Sequence, residues 1–123
     1  MTARVQNNGL ANITATLVAS ATNPIKWLQW GTGTAAAASA NVVTTAAAEA
    51  RTNGTPSQVT TKVTNDTHQV VGTITCTSVG KTISEVGVMD AVTAGNLDYY
   101  FDFTGVALLV GDSIAFTTQV KFV

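Results

Sequence analysis

Leu97-Asp98-Tyr99-Tyr100-Phe101-Asp102-Phe103 is the stretch that decides the fold. Successive side chains of an extended strand point to opposite faces, so Leu97, Tyr99, Phe101 and Phe103 share one side, and Asp98, Tyr100 and Asp102 the other. The run Ser113-Ile114-Ala115-Phe116-Thr117-Thr118-Gln119-Val120-Lys121-Phe122 repeats the pattern. Ile114, Phe116, Val120 and Phe122 lie on one face with Thr118 between them, opposite Ser113, Ala115, Thr117, Gln119 and Lys121. All 4 phenylalanines of the chain fall on these two apolar faces. Upstream, Ile83-Ser84-Glu85-Val86-Gly87-Val88-Met89 reads as a third strand. The small and polar residues that follow it, ending in Gly95-Asn96, read as a turn. Residues 83–123 therefore form a C-terminal three-strand unit. Its apolar face stabilises only when covered, and ordering the strands costs comparable entropy. The rest of the chain, alone or with another subunit, must supply a second layer.

Working outward from this unit, residues 59–76 predict a hairpin. Val59, Thr61 and Val63 alternate with Thr60, Lys62 and Thr64, Asn65-Asp66-Thr67 makes the turn, and Val70, Ile74 and Cys76 return in phase. Gly72 among them marks a bulge or a close backbone approach. Ser78-Val79-Gly80-Lys81 turns the chain into the C-terminal unit. Ile25-Lys26-Trp27-Leu28-Gln29-Trp30 is a further strand and holds both tryptophans. Their odd spacing sets them on opposite faces, one in the core and one covered from outside, unless a bulge or a central position turns both inward. Leu10, Ile13, Leu17 and Val18 recur at helical spacing and predict a short helix over residues 9–19, with Asn8 as N-cap and Asn23-Pro24 as its stop. Residues 39–50 predict a second short helix, against the extended preference of Val42-Val43-Thr44-Thr45. Residues 1–8 carry little pattern and are read as an N-terminal arm. The whole is expected to be a single domain over residues 1–123, mainly β: an antiparallel β-sandwich or jelly-roll-like domain with one or two short helices.

Composition bounds the function. Charged residues are 11% of the chain and the net charge is −1, against about 25% charged in ordinary soluble domains. A surface so weakly charged does little to resist self-association. It lacks the basic patch that nucleic acid requires, so no nucleic-acid partner is expected. The hydrophobic fraction is 46%, yet no apolar run has the length of a membrane span, and no membrane partner is expected. The N-terminus lacks the apolar core of a signal peptide, so the chain is expected to be made in the cytoplasm. Cys76 is the only cysteine; it reads as a small buried hydrophobe or, less simply, as a reactive thiol.

The residues offer little catalytic chemistry. His68 is the sole histidine, too few for a zinc site of several His or Cys ligands, and it is read as an exposed turn residue. Gly31-Thr32-Gly33-Thr34 lacks the Gly-Lys-Ser/Thr ending of a phosphate loop. Asp98 and Asp102 share a strand face at roughly 13 Å, beyond the 5–9.5 Å of paired glycosidase carboxylates. The expectation is a protein that is not an enzyme and has no cofactor. Glu85, inside an apolar strand, needs a partner if it faces inward. Arg51 is the intrachain candidate for a structural ion pair, pairing between subunits is an alternative, and both residues at the surface is a third.

Several phrases, taken in order, resemble a known group. They are Lys26-Trp27-Leu28-Gln29-Trp30-Gly31-Thr32-Gly33-Thr34, Glu49-Ala50-Arg51, Thr64-Asn65-Asp66-Thr67, Ile83-Ser84-Glu85-Val86-Gly87-Val88-Met89-Asp90-Ala91, Gly95-Asn96-Leu97 and Gly111-Asp112-Ser113-Ile114. From Trp27 onward the chain resembles small structural proteins of tailed bacteriophages, capsid decoration (cement) proteins or tail-fibre-type modules. The resemblance implies a virion structural role, a β-rich fold and a homotrimer. The absence of shaft or attachment segments favours a decoration protein on the capsid surface, with the major capsid protein as partner. Its expected contacts are Thr2, Arg4 and Val5 of the arm, the outward member of Trp27 and Trp30, and Tyr100. The alternative is a tail-associated module that binds a host glycan on Trp30 and Tyr100, with Asp98 and Asp102 as acceptors.

Overall fold

The computed structural model describes residues 2–20 and 22–122. The first residue of the expected arm, Met1, and the last of the C-terminal unit, Val123, lie outside the described residues, as does Ala21. In chain order the elements are α1 (Asn7–Ala19), β1 (Trp27–Gly31), β2 (Thr52–Asn53), β3 (Thr55–Val59), β4 (Thr67–Thr75), β5 (Lys81–Met89), β6 (Leu97–Leu108) and β7 (Ser113–Lys121). The protein is mainly β. A 4-stranded sheet has the order β2-β1-β5-β6 and a 3-stranded sheet the order β3-β4-β7; all pairings are antiparallel. No described helix is long and apolar enough to cross a membrane.

The two sheets share one core. Leu28, Trp30, Val86 and Val88 come from the larger sheet, and Val70, Ile74 and Phe116 from the smaller. Fully burying such side chains stabilises by about 1.5–3 kcal/mol each. The alternation in 99–103 and 114–120 places Phe103 and Phe116 across the core from each other, ring centroids 6.2 Å apart, and Trp30 meets Phe116 edge-on at 6.4 Å. Leu97, expected on the same face, is turned by a register shift to the outer face beside Gly87 and Val43. The three strands read as one C-terminal unit are therefore divided. β5 and β6 pair, whereas β7 joins β4 in the other sheet. Much of the second layer that β6 needs is β7 itself.

On one side the sheets are tied by a crossing strand. β2 and β3 are separated only by Gly54, whose N–H donates to the Lys26 carbonyl at 2.9 Å, while Thr55 already pairs with Val71 of β4. A Cβ at Gly54 would lie 2.6 Å from both the Lys26 carbonyl and Val70, so only glycine lets the chain pass between the layers. On the opposite side β6 and β7 are both edge strands. They are joined by the loop 109–112.

Both faces of β5 are covered. A register shift between Ile83 and Glu85 lets Ile83 and Val86 enter the same core although three residues apart. Glu85, Gly87 and Met89 then face outward. Residues 32–50 fold over them as a flap, closed on itself by Thr32 N–H to the Thr45 carbonyl (2.9 Å) and stitched to β1 by Ala47 N–H to the Trp30 carbonyl (3.1 Å). The helix expected over 39–50 does not form. Its β-branched centre is extended, Val43 is buried, and Glu85 takes the Thr44 and Thr45 amides that a helix would need.

Three further expectations change. The helix begins at Asn7, with Gln6 as N-cap and no side-chain capping bond. It is fastened by polar contacts: the Thr14 hydroxyl donates to the Asn65 carbonyl at 2.6 Å, and Gln58 Nε2 to the Ala11 carbonyl at 2.9 Å. The outgoing strand of the hairpin lies earlier than its alternation suggests, because Asp66 gathers residues 60–66 into a turn. Its buried carboxylate accepts the amides of Thr61 (2.9 Å), Lys62 (2.9 Å) and Val63 (3.0 Å). Burial opposes that charge, but the amides and Thr67 hold the carboxyl well below the usual range. His68 is buried in β4 rather than exposed; neither ring nitrogen has a hydrogen-bond partner, and Tyr99 lies 5.7 Å away.

Candidate functional site

The open side of the molecule is the candidate site. Between β6 and β7 lies a cavity of about 500 Å³ walled by Val86, Phe101, Phe103, Val106, Ile114 and Phe116, with residues 117–119 at its rim. The strand alternation builds it. Phe101 and Phe103 point inward from β6 and Ile114 and Phe116 from β7, but the bulky rings hold the two edges apart. Phe101, Phe103 and Ile114 remain only half-buried. Where the two strands join, the loop 109–112 is pinned by Cys76 N–H to the Asp112 carbonyl (2.7 Å) and Gly111 N–H to the Cys76 carbonyl (2.9 Å).

Val106 of the cavity wall is 43% exposed, and Leu109 and Val110, on the loop that joins the two strands, are 75% and 58% exposed. The cavity walls carry no titratable group. The arrangement therefore offers apolar contact plus the free backbone donors and acceptors of two edge strands, which is the chemistry of strand-to-strand association.

The residues predicted from sequence fall elsewhere. Thr2, Arg4 and Val5 are exposed ahead of α1. Trp27 is the outward tryptophan, half-buried between Asn53 and Met89 in the sheet, with Lys26 Nζ 5.6 Å from its ring. Trp30 is not a contact residue: it is 1% exposed, and its Nε1–H donates to Glu49 at 2.9 Å. Tyr100 does point outward, but under the flap, its hydroxyl donating to Glu85 at 2.7 Å. The aromatic platform expected for a glycan is thus absent at Trp30 and Tyr100.

Glu85 is buried, as its apolar strand suggested, but its partner is not Arg51. The carboxylate accepts the amides of Gly33 (3.3 Å), Thr44 (3.1 Å) and Thr45 (2.8 Å) together with the Tyr100 hydroxyl. Burial opposes ionisation, but the Thr45 amide, Tyr100 and the Thr44 amide outweigh it and hold the carboxyl below its ordinary value. Backbone donors spread over two turns of the flap replace the cation. Arg51 instead donates from Nη1 to the carbonyls of Ala91 (2.8 Å) and Ala94 (2.6 Å), bracing the 90–96 turn. The ion pair in this part of the molecule is Lys81 with Glu49, which also accepts from Trp30 and the Thr77 amide. Burial opposes its charge too, but Lys81 and these donors lower the Glu49 carboxyl to about 2.

Sequence reasoning missed Val106, Leu109, Val110 and Ile114 as surface. The signal was the concentration of phenylalanine in two strands, which reads as core until the strands prove to be the edges of different sheets. Comparison with protein-family models, with curated proteins and with solved structures finds no match.

Proposed function

We propose that this chain is a non-enzymatic virion structural protein, a decoration (cement) protein that self-associates, binds the outside of an assembled bacteriophage head and stabilises it through the major capsid protein. The observation that carries the assembly role is the open side. Two sheet edges without a further strand partner among the described residues flank a cavity of about 500 Å³ walled by apolar side chains, and Leu109 and Val110 are exposed on the loop that joins them. Such a surface favours burial against other protein. The virion setting is supported by the ordered phrases between Lys26 and Ile114 that resemble that group. The stabilising mechanism is mass action. A protein that binds only the assembled lattice at 100 times its Kd contributes about 2.7 kcal/mol per site, and repetition by symmetry multiplies weak contacts.

The test is to add purified protein to assembled heads that lack it. Co-sedimentation at saturable stoichiometry and a higher rupture temperature are expected. Heads that neither bind the protein nor gain heat resistance would overturn the reading.

A further inference from the structure

We propose that the β6 edge of one copy of this chain pairs antiparallel with the β7 edge of a second copy. This deepens the self-assembly half of the function proposed above, as a two-fold pair in place of the trimer that the resemblance implies, and rests on that half alone. Both edges open on the same side of the molecule, and neither has a further strand partner among the described residues. Two rotations bring the open sides of two copies edge to edge. A rotation about an axis perpendicular to the sheets sets β6 against β6 and β7 against β7. A rotation about an axis parallel to the strands sets β6 against β7 at both edges. β6 and β7 run in opposite directions across the loop 109–112, so this second arrangement is antiparallel. It also keeps the outward faces of both copies on the same side of the joint sheet.

Charge selects the second arrangement. β6 carries Asp98 and Asp102 and no basic residue, whereas β7 carries Lys121 and no acidic one. Full-length pairing of β6 with β6 would leave Asp98 and Asp102 with no cation opposite, whereas opposite charges across strands are favourable. The heights agree. Lys121 lies about 26 Å along β7 from Ser113 at 3.3 Å per residue, and the same span back along β6 from Leu108 reaches Tyr100, between Asp98 and Asp102. Asp98, Asp102 and Lys121 are all exposed, and Asp98 has no salt-bridge partner among the described residues. Although its side chain reaches the surface, partial shielding from water and the nearby Asp90 raise its carboxyl, so a cation from a neighbour would meet a charge nothing nearby compensates. The same pairing roofs the cavity, and Phe101, Phe103 and Ile114 become interior.

The experiment is sedimentation equilibrium of the full chain from micromolar to hundreds of micromolar. Wild type is run beside Asp98→Lys, Lys121→Glu and the double exchange D98K/K121E, each verified as folded by circular dichroism. A concentration-dependent dimer is expected, weakened about fivefold per contact by either single change and recovered in the double exchange; a trimer would overturn the two-fold pairing. A monomer over the whole range overturns the pairing. So does an oligomer that the single changes leave intact, or one that the double exchange does not recover. A monomer that still binds heads would sink this pairing and leave the decoration role standing; a charge-dependent oligomer that ignores heads would do the reverse.

Discussion

Replacing Glu85 with alanine tests how the flap is held. The side chain is fully buried and its carboxylate accepts from Gly33, Thr44, Thr45 and Tyr100 at 2.7–3.3 Å. A hydrogen bond to a charged group contributes about 1.5–3 kcal/mol, so four would sum to about 6–12 kcal/mol if every donor stayed buried and unpaired. They need not stay buried, because three of them are flap amides that reach water once residues 32–50 lift. Flap opening caps the loss, and the expected destabilisation is about 3–5 kcal/mol, as when one partner of a buried charge pair is removed. At roughly 3–5 °C per kcal/mol for a chain of this size, the melting temperature falls by roughly 10–25 °C. Tyr100→Phe deletes one donor of the four and should cost about 1–2 kcal/mol. Urea denaturation followed by tryptophan fluorescence gives the stability, and limited proteolysis reports cleavage within residues 32–50. A Glu85→Ala change inside ±0.5 kcal/mol, the range of a surface substitution, would refute the reasoning. So would a large loss of stability with no gain in flap cleavage.

Other outcomes follow from buried groups. His68 has its pKa lowered from the ordinary 6.5 by burial, so below pH 6.5 the unfolded chain binds a proton that the folded chain refuses. Stability is complete above that pH and falls beneath it, by at most about 1.4 kcal/mol per pH unit; thermal melts of His68→Leu should lose this slope, and its persistence would assign the slope to another group. Glu85, with a lowered pKa, keeps its full contribution above its ordinary value of 4.5 and loses it as pH falls through the lower folded value; the stability gap between wild type and Glu85→Gln, measured from pH 7 to pH 3, should therefore narrow only at the acid end. A methyl group at Gly31 would collide with the Glu85 carboxylate and the Thr45 carbonyl, so Gly31→Ala should cost about 1–3 kcal/mol in denaturant melts. Asp66→Ala removes the acceptor of three amides, and should lower the melting temperature and expose residues 60–66 to protease.

Strands whose alternation faces a single core were legible in the sequence. Residues 99–103 and 113–121 take the predicted faces, because a period of two over several residues has few competing readings. Leu97 does not, because a register shift beside Met89 turns it to the outer face. The tryptophans separate as their odd spacing requires, Trp30 inward and Trp27 outward. What failed was local pattern overruled by one distant or buried acid. Asp66 reclaims three amides from an apparent strand, and Glu85 does the same to an apparent helix forty residues away in the chain. Neither capture leaves a periodic trace, since each depends on a single carboxylate meeting backbone that only the finished fold brings near. The open side was hidden for a different reason. Phenylalanines on alternating positions look the same whether their strands sit mid-sheet or at an edge, and strand order is not written in the side-chain period.

The crossing at Gly54 fastens the two sheets on one side, and on the other they are joined through the loop 109–112 at one end of β6 and β7. Beyond that loop no strand pairing ties the β6 edge to the β7 edge among the described residues. The separation of these two edges is therefore the coordinate that can change without breaking a ladder.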